Sequence, residues 1–480
     1  MVSKKKLSNN LLQMDLNHFW HPYSDISNIE VGEFPIFVKG KGSYLYDVNG
    51  KSYIDGISSW WCVNLGHSNK KLINAIKSQV NNLQQTITGN ASNDRVAILS
   101  SEIASIVGSG LSRSFFCSDG SSAVECALRM ARQYFSNLES SKNTSQVTRK
   151  YFVSLDGDYH GDTLGCISVG YQEEFHKEIN GTFQRSICAK SPNCNNCPFG
   201  KTIKNCNAEC FDNMERVILE KHEEIIGVIV EPLFQGAAGM QIYSPKYLQK
   251  LEKICQKYGI LLILDEIATG FYRTGKMFAF QVANIKPDII ILGKAITGGY
   301  LPMSAVVATE EIYNSFRNGN TFYYGHTFSG NPILANLAIA AINLYKQIDE
   351  QKDIRPLCEK MESFAFEIKK EFTNLSTNHC GMIMMIDFAN VSTASAMLPC
   401  NAKNTIKNGN KLNSSTILFS YKIAEHVAKL CLGNGLFIRK LGSVVYLCPP
   451  INIKRKLLNK CCDILKSSIN EVFKLHNLDN

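Results

Sequence analysis

No apolar run in this chain of 480 residues reaches the ~18 residues needed to span a bilayer. The first ten residues, MVSKKKLSNN, are basic, but no apolar stretch follows, so neither a membrane helix nor a secretory leader is expected. Lys and Arg outnumber Asp and Glu by 51 to 42, giving a net charge of +9. These cations are spread along the chain rather than clustered, so nucleic-acid binding is not indicated, while an anionic substrate or cofactor is compatible. The 17 Cys are odd in number and scattered, which fits a reducing cytoplasm better than a disulfide framework. Also missing are H-E-x-x-H, G-x-S-x-G, Walker A and G-x-G-x-x-G patterns. What remains is a globular composition, 45% hydrophobic and 19% charged, long enough for two or three domains.

The most informative stretch runs from Ile260 to Gly299. Ile260–Leu264 and Ile289–Leu292 are continuous apolar runs, as expected for strands of a parallel sheet covered on both faces. The first ends in Asp265, and the second ends, after Gly293, in Lys294. As parallel neighbours, both would emerge at one carboxyl edge, where open α/β sheets place their ligands. An acid and an amine on one rim suit pyridoxal phosphate, whose aldehyde takes a lysine Schiff base and whose pyridinium nitrogen pairs with a carboxylate. The plainer alternative is a helix-capping Asp265 and a solvated Lys294.

Other stretches build the same picture. Residues 1–17 are polar and read as a frayed tail, whereas HFWHPYSDI (18–26) is aromatic. Tyr44–Asp47 and Tyr53–Asp55 flank Asn49-Gly50, a hairpin signal. In GISSWWCVNLGH (56–67) small and polar residues surround two tryptophans, which suggests a pocket wall rather than core. FFCSDGSSAVECALRMARQYF (115–135) predicts a strand, a turn and a helix with Ala123, Ala127, Met130, Ala131 and Tyr134 on one face. The turn Asp119–Ser122 then lies at a helix N-terminus, either as an anion site or as plain N-capping by Ser. Tyr151–Leu155 and Gly227–Val230 are further strands, and Ser244-Pro245 starts a helix with Tyr247, Leu248, Leu251, Ile254 and Cys255 on its apolar face. This alternation predicts a doubly wound α/β domain. A helix over Leu334–Tyr345 and strands at Met382–Phe388 and Val444–Leu447 lead into a smaller α+β domain. Residues 392–415, rich in Ser, Asn, Thr and Lys, read as a flexible surface insertion. The expected division is an N-terminal segment 1–65 serving the small domain and the active-site wall, a large domain 66–340 and a small domain 341–480. Cys194, Cys197, Cys206 and Cys210, spaced C-x2-C-x8-C-x3-C, could ligate zinc or could be reduced thiols in a compact loop.

DEIATGFYRTG (265–275) and PDIIILGKAITGG (287–299) closely resemble the signature of the class III pyridoxal-phosphate aminotransferases, and the resemblance covers nearly the whole chain. It implies fold-type I and a mostly parallel large domain. It also implies pyridoxal 5'-phosphate, small-molecule substrates and a homodimer with shared active sites. FWHPYSDI, GISSWWCVNLGH, YHGDTLGCISVG and FIRKLGSVVYLCPP point, within that family, to the branch that aminates 8-amino-7-oxononanoate with S-adenosylmethionine as donor, a step of biotin biosynthesis. By matched position, the resemblance implies that Lys294 carries the cofactor and Asp265 pairs with its ring nitrogen. Gly120 and Ser121 would hold the phosphate, and Tyr159 would stack on the ring. His326 and Thr327, in YGHTF, would reach the cofactor, Thr327 from the neighbouring subunit, with Gly325 beside the substrate. Tyr23 and Trp60 would line the substrate pocket, and Arg439 would bind the acceptor carboxylate. Many relatives read Asp-Ser-Gly-Ser where this chain has Ser118-Asp119-Gly120-Ser121. The alternatives are a class III enzyme for an ω-amino acid such as ornithine, 4-aminobutyrate or lysine, and a zinc-bearing binding module.

Overall fold

The computed structural model describes residues 4–30, 34–141, 149–391, 405–407, 410–412 and 414–478. At its centre is a seven-stranded sheet ordered Leu111–Cys117, Ser304–Thr309, Ile289–Leu292, Leu261–Asp265, Ile225–Val230, Tyr151–Leu155, Ile187–Ala189. Leu261–Asp265 runs parallel to both its neighbours, with Asp265 opposite Ile291. Ser304–Thr309 is antiparallel to the strands on either side, so the sheet is mostly but not wholly parallel.

The central strands are apolar because both faces are covered. Ile226, Ile229, Leu261, Ile263, Ile289 and Ile291 pack with Ala123, Ala127, Met130, Ala131 and Tyr134 of the helix Gly120–Ser141. Val228, Val230, Leu262, Leu264, Ile290 and Leu292, each next in sequence to Ile229, Leu261, Ile263, Ile289 or Ile291, join the other core with the apolar face of Pro245–Tyr258. Period-two alternation thus assigns each run two faces. Asp265 has the parity of Leu261 and Ile263, so it leaves the sheet on the Gly120–Ser141 side.

A four-stranded antiparallel sheet, Ser376–Cys380, Ile383–Asp387, Val444–Leu447 and Lys440–Leu441, carries the helices Arg355–Glu371 and Ser414–Gly433, and Arg455–Leu475 packs against both helices. In a third sheet the hairpin Tyr44–Asp47/Ser52–Asp55 forms as expected, and Leu436–Phe437 pairs parallel to Ser52–Asp55. The N-terminal segment is therefore stitched to the C-terminal one.

One expectation is corrected. The polar N-terminus is not frayed over 4–17: it forms a helix, Lys4–His18, whose end is tied by a 2.6 Å contact between His21 Nε2 and Asp15 Oδ2. Within 392–415, Thr405–Lys407 pairs antiparallel with Asn410–Leu412, and a helix begins at Ser414; residues 392–404, 408–409 and 413 lie outside the described residues. Among the described residues no helix is long and apolar enough to cross a membrane.

Candidate active site

Asp265 and Glu266 sit side by side at the end of the central strand and do different work. Glu266, fully buried, accepts hydrogen bonds from the Ala279 and Phe280 N–H groups and the Thr269 hydroxyl. Capping therefore falls to Glu266. Asp265 is 4% exposed, and its Oδ2 lies 2.8 Å from His160 Nδ1. His160 Nε2 is buried, has no hydrogen-bond partner among the described residues, and stands 3.8 Å from Asp158 Oδ2. The imidazole therefore donates from Nδ1 to Asp265. Burial pulls the His160 pKa down, but the bond to Asp265 and the nearby charges outweigh it and carry it up to about 8.

Lys294 follows the neighbouring strand through Gly293 and has a left-handed backbone, φ 43°. Such a conformation costs a non-glycine residue energy and is common at functional sites. Its Nζ lies 4.6 Å from the centroid of the Trp61 ring. Burial lowers the Lys294 pKa, against the pull of the Asp265 and Glu231 charges. Glu231, at the end of Ile225–Val230, accepts from the Tyr159 and Gly236 N–H groups and is pushed up to about 8 by burial and by Asp158.

The two tryptophans separate. Ser58, Ser59 and Trp61 all have φ between 50° and 63°, and this kink sends Trp61 inward and leaves Trp60 40% exposed. Asp55 holds the turn through the Ser59 N–H and hydroxyl, and buried Arg273 bonds Ser58 Oγ, Asn64 Oδ1 and the Pro449 carbonyl. Trp61 Nε1 donates to Tyr446 Oη at 3.0 Å. Trp60 meets Tyr23 edge-on at 5.9 Å, and the Arg439 guanidinium stands 4.5 Å from the Trp60 ring centroid. Tyr23 and Tyr159 both donate to Asp162 Oδ2, at 2.5 and 2.8 Å. One cluster thus joins Tyr23, Trp60, Tyr159 and Arg439, and the neighbouring strand ends join Asp265 to Lys294.

Gly120 and Ser121 open the helix Gly120–Ser141, as expected, but the cap is Asp119, whose carboxylate takes the Ser122 N–H and hydroxyl. Gly161 leaves room for Ser121: a Cβ there would lie 2.2 Å from Ser121 Oγ. Gly325, His326 and Thr327 stand apart on an exposed loop. That loop is anchored by Tyr324 Oη to the Ser122 carbonyl, and by Gln85 to the Thr327 carbonyl.

The four spaced cysteines line one cavity of about 20 Å³ with Phe199 and Tyr247. Burial raises the Cys194 pKa to about 12 and that of Cys210 to about 11. Among the described residues no three His, Cys, Asp or Glu side chains are arranged to hold a metal ion, so the zinc alternative gains no support.

The family model for class-III aminotransferases matches residues 26–469. The chain belongs to the class-III aminotransferase family. Within it the chain is 34% identical over 466 residues to the adenosylmethionine-8-amino-7-oxononanoate aminotransferase of Staphylococcus aureus, covering 96% of this chain and 98% of that one. It is 34% identical to the Aquifex aeolicus protein of the same name, covering 97% and 98%. The crystal structure of the Methanocaldococcus jannaschii protein of that name superposes with a TM-score of 0.83 at 31% identity, covering 96% and 99%. A PLP-bound amine transaminase from an uncultivated Pseudomonas species gives 0.83 at 26%, covering 95% and 99%. The fold of this class-III aminotransferase is accordingly fold-type I.

Three residues of the site escape the motif reading: Trp61, His160 and Asp162. Trp61 adjoins Trp60, His160 adjoins Tyr159, and Asp162 lies three residues after Tyr159. His160 and Asp162 follow Tyr159 in YHGD, and this polar cluster, four to seven residues after a strand, was their only signal.

Proposed function

We propose that this class-III aminotransferase moves an amino group from S-adenosylmethionine to 8-amino-7-oxononanoate, giving 7,8-diaminononanoate. The observation that carries the substrate assignment is the Arg439–Trp60–Tyr23 cluster beside the lysine-bearing rim. It offers a guanidinium fork for a carboxylate and aromatic faces for a cation in one pocket. Relatives named for this reaction, at 34% identity over almost their whole length, support it.

Pyridoxal phosphate is the family's cofactor, and the residues fit it: a partly buried amine and a buried carboxylate share one sheet edge, beside a helix N-terminus. Lys294 would hold it covalently, Asp265 would face its ring nitrogen, Tyr159 would cover the ring, and Gly120 and Ser121 would hold its phosphate. When bound, it supplies a protonated ring that accepts the electron pair left behind as a proton leaves the donor carbon. Asp265, fixed by His160, holds the proton on the ring nitrogen. Once the donor's amine has displaced it from the cofactor, Lys294 would be a free amine whose burial favours its neutral form, and its Nζ could take the proton from the donor carbon and release it to the carbon on the far side of the donor's nitrogen. Trp61 over Nζ excludes water. Arg439 holds the acceptor's carboxylate at the far end, and the Trp60 and Tyr23 walls take the donor's sulfonium or the acceptor's chain in turn. Because donor and acceptor use one pocket successively, ping-pong kinetics follow.

We further propose a homodimer in which Thr327 and Gly325 complete the partner's site. Their exposure on a loop with bare Tyr323 (82% exposed) and Phe328 (57%) supports this.

The test is a donor and acceptor screen of the purified holoenzyme, with diaminononanoate measured by mass spectrometry. S-adenosylmethionine with 8-amino-7-oxononanoate should give product. Turnover of ornithine, 4-aminobutyrate or lysine with a keto acid, and none with the oxononanoate, would move the reading to the ω-amino acid alternative.

A further inference from the structure

His176 belongs to no motif read from the sequence and to no step above, yet it is 4% exposed beside the pocket. It ends the short helix Glu173–His176. Its Nδ1 lies 3.0 Å from the backbone nitrogen of Gln172, which can only donate. Nδ1 is therefore the acceptor, the ring proton sits on Nε2, and Nε2 donates to Asp162 Oδ1 at 3.4 Å. Gln172 is itself fixed, because its side-chain amide donates to the Gly157 and Asp158 carbonyls, just before Tyr159. Asp162 is thus held on one oxygen by His176, while its other oxygen takes both the Tyr23 and Tyr159 hydroxyls. The same short helix presents Phe175 edge-on to Tyr23 at 5.7 Å.

Tyr23 needs such a hold. It is 48% exposed, comes from the N-terminal segment, and has a left-handed backbone with φ 53°. Its bond to Asp162, with its hydroxyl 3.1 Å from that of Tyr159, ties that segment to the large sheet. Asp162 is half exposed and could otherwise turn into solvent.

We propose that His176 is a positioning residue that fixes the Asp162 carboxylate, and through it the Tyr23–Tyr159 pair, as the wall against which both substrates bind. This rests on the reading of that pocket as the substrate site. His176 touches neither Asp265 nor Lys294, so its loss should loosen substrate binding while leaving the proton-transfer machinery in place.

The test compares holoenzymes carrying His176→Asn and His176→Gln. The Gln side chain can carry an N–H donor to the place of Nε2, whereas Asn is too short to reach Asp162. His176→Asn should raise KM for both substrates about tenfold with kcat within about threefold, and His176→Gln should stay near wild type. On a Tyr23→Phe background His176→Asn should add less than about twofold, since both act through one network. Asp162→Asn, which leaves the packing around His176 untouched, should reproduce the KM rise. The proposal is overturned by equal damage from Asn and Gln, by a fall in kcat at constant KM, by full additivity with Tyr23→Phe, or by an unchanged KM in Asp162→Asn. The last holds however the His176 variants fold. Wild-type turnover of the oxononanoate is measured first. Its absence overturns the substrate assignment alone, and the variants are then read in the half-reaction of whichever amino donor the wild type accepts.

Discussion

His160 Nδ1 lies 2.8 Å from Asp265 Oδ2, both groups are buried, and among the described residues no other side chain donates to that carboxylate. Its other oxygen accepts the Ile267 N–H at 3.1 Å. The acid is therefore oriented from behind by an imidazole and from its own turn by a backbone amide. A carboxylate so fixed needs no reorganisation when a positive charge develops in front of it.

Asp265→Asn should keep the fold and the cofactor but slow transamination between about 100-fold and 10,000-fold, the range expected when a positioned proton-holding group is lost. Single-turnover absorbance with each substrate checks this. Activity within a few-fold of wild type would mean that another residue serves the ring nitrogen.

Shared active sites give a complementation test. Lys294→Ala and Thr327→Glu should each be inactive alone. A refolded 1:1 mixture should recover about a quarter of wild-type activity, because half of the dimers are mixed and each has one intact site. No recovery, or a fully active monomer by light scattering, would show that Thr327 acts within its own chain or not at all.

Much of this was legible because the chemistry interrupts a pattern. Asp265 and Lys294 stand out where an apolar strand period ends, and the helix faces of Gly120–Ser141 and Pro245–Tyr258 follow from spacing alone. Trp60 and Trp61 could not be told apart, since adjacent identical residues are separated only by the left-handed turn at Ser58 and Ser59. The capping role went to Glu266 rather than Asp265 for a similar reason: neighbouring strand residues face opposite ways, and only the third dimension says which face holds the ligand. The helix Lys4–His18 was missed because its mean hydropathy is low and its amphipathic pattern weak, so periodicity carries little signal there.

Glu231 should make stability depend on pH. Burial and Asp158 lift its pKa from 4.5 to about 8, so the folded protein holds that proton more tightly than the unfolded chain. Its contribution is full below 4.5 and is lost as pH rises through about 8. His160, raised from 6.5 to about 8, has the same sign, whereas Lys294, lowered by burial, has the opposite one. The comparison is therefore of slopes. Between pH 6.5 and just above 8, the thermal midpoint of the cofactor-free protein should fall less steeply in Glu231→Gln than in wild type. Scanning calorimetry measures both, and identical slopes would show that Glu231 does not titrate in this window.

Arg439 gives the sharpest test of substrate choice. Its guanidinium is half-buried and stacked 4.5 Å from the Trp60 ring centroid, so it is held in place before any substrate arrives. A planar fork fixed in this way can take a carboxylate in two parallel hydrogen bonds, and the proposed acceptor carries one far from its ketone. The donor has a carboxylate too, but on the carbon that reacts, close to Lys294 rather than out at the Trp60 wall. Arg439→Ala should therefore cost the acceptor half-reaction roughly 2–4 kcal/mol in kcat/KM, the loss expected when one partner of a partly buried charged pair is removed. The donor half-reaction should change far less. Arg439→Lys should not restore the acceptor step, because an ammonium neither forks nor stacks as a plane on Trp60. Trp60→Ala should weaken the acceptor step by removing the ring that orients the guanidinium, and should weaken the donor step too, because the same wall takes the sulfonium. Single-turnover kinetics of each half-reaction separate these outcomes. Equal losses in both halves, or none in the acceptor step, would show that Arg439 does not read the acceptor carboxylate, and would shift the assignment towards an ω-amino acid substrate.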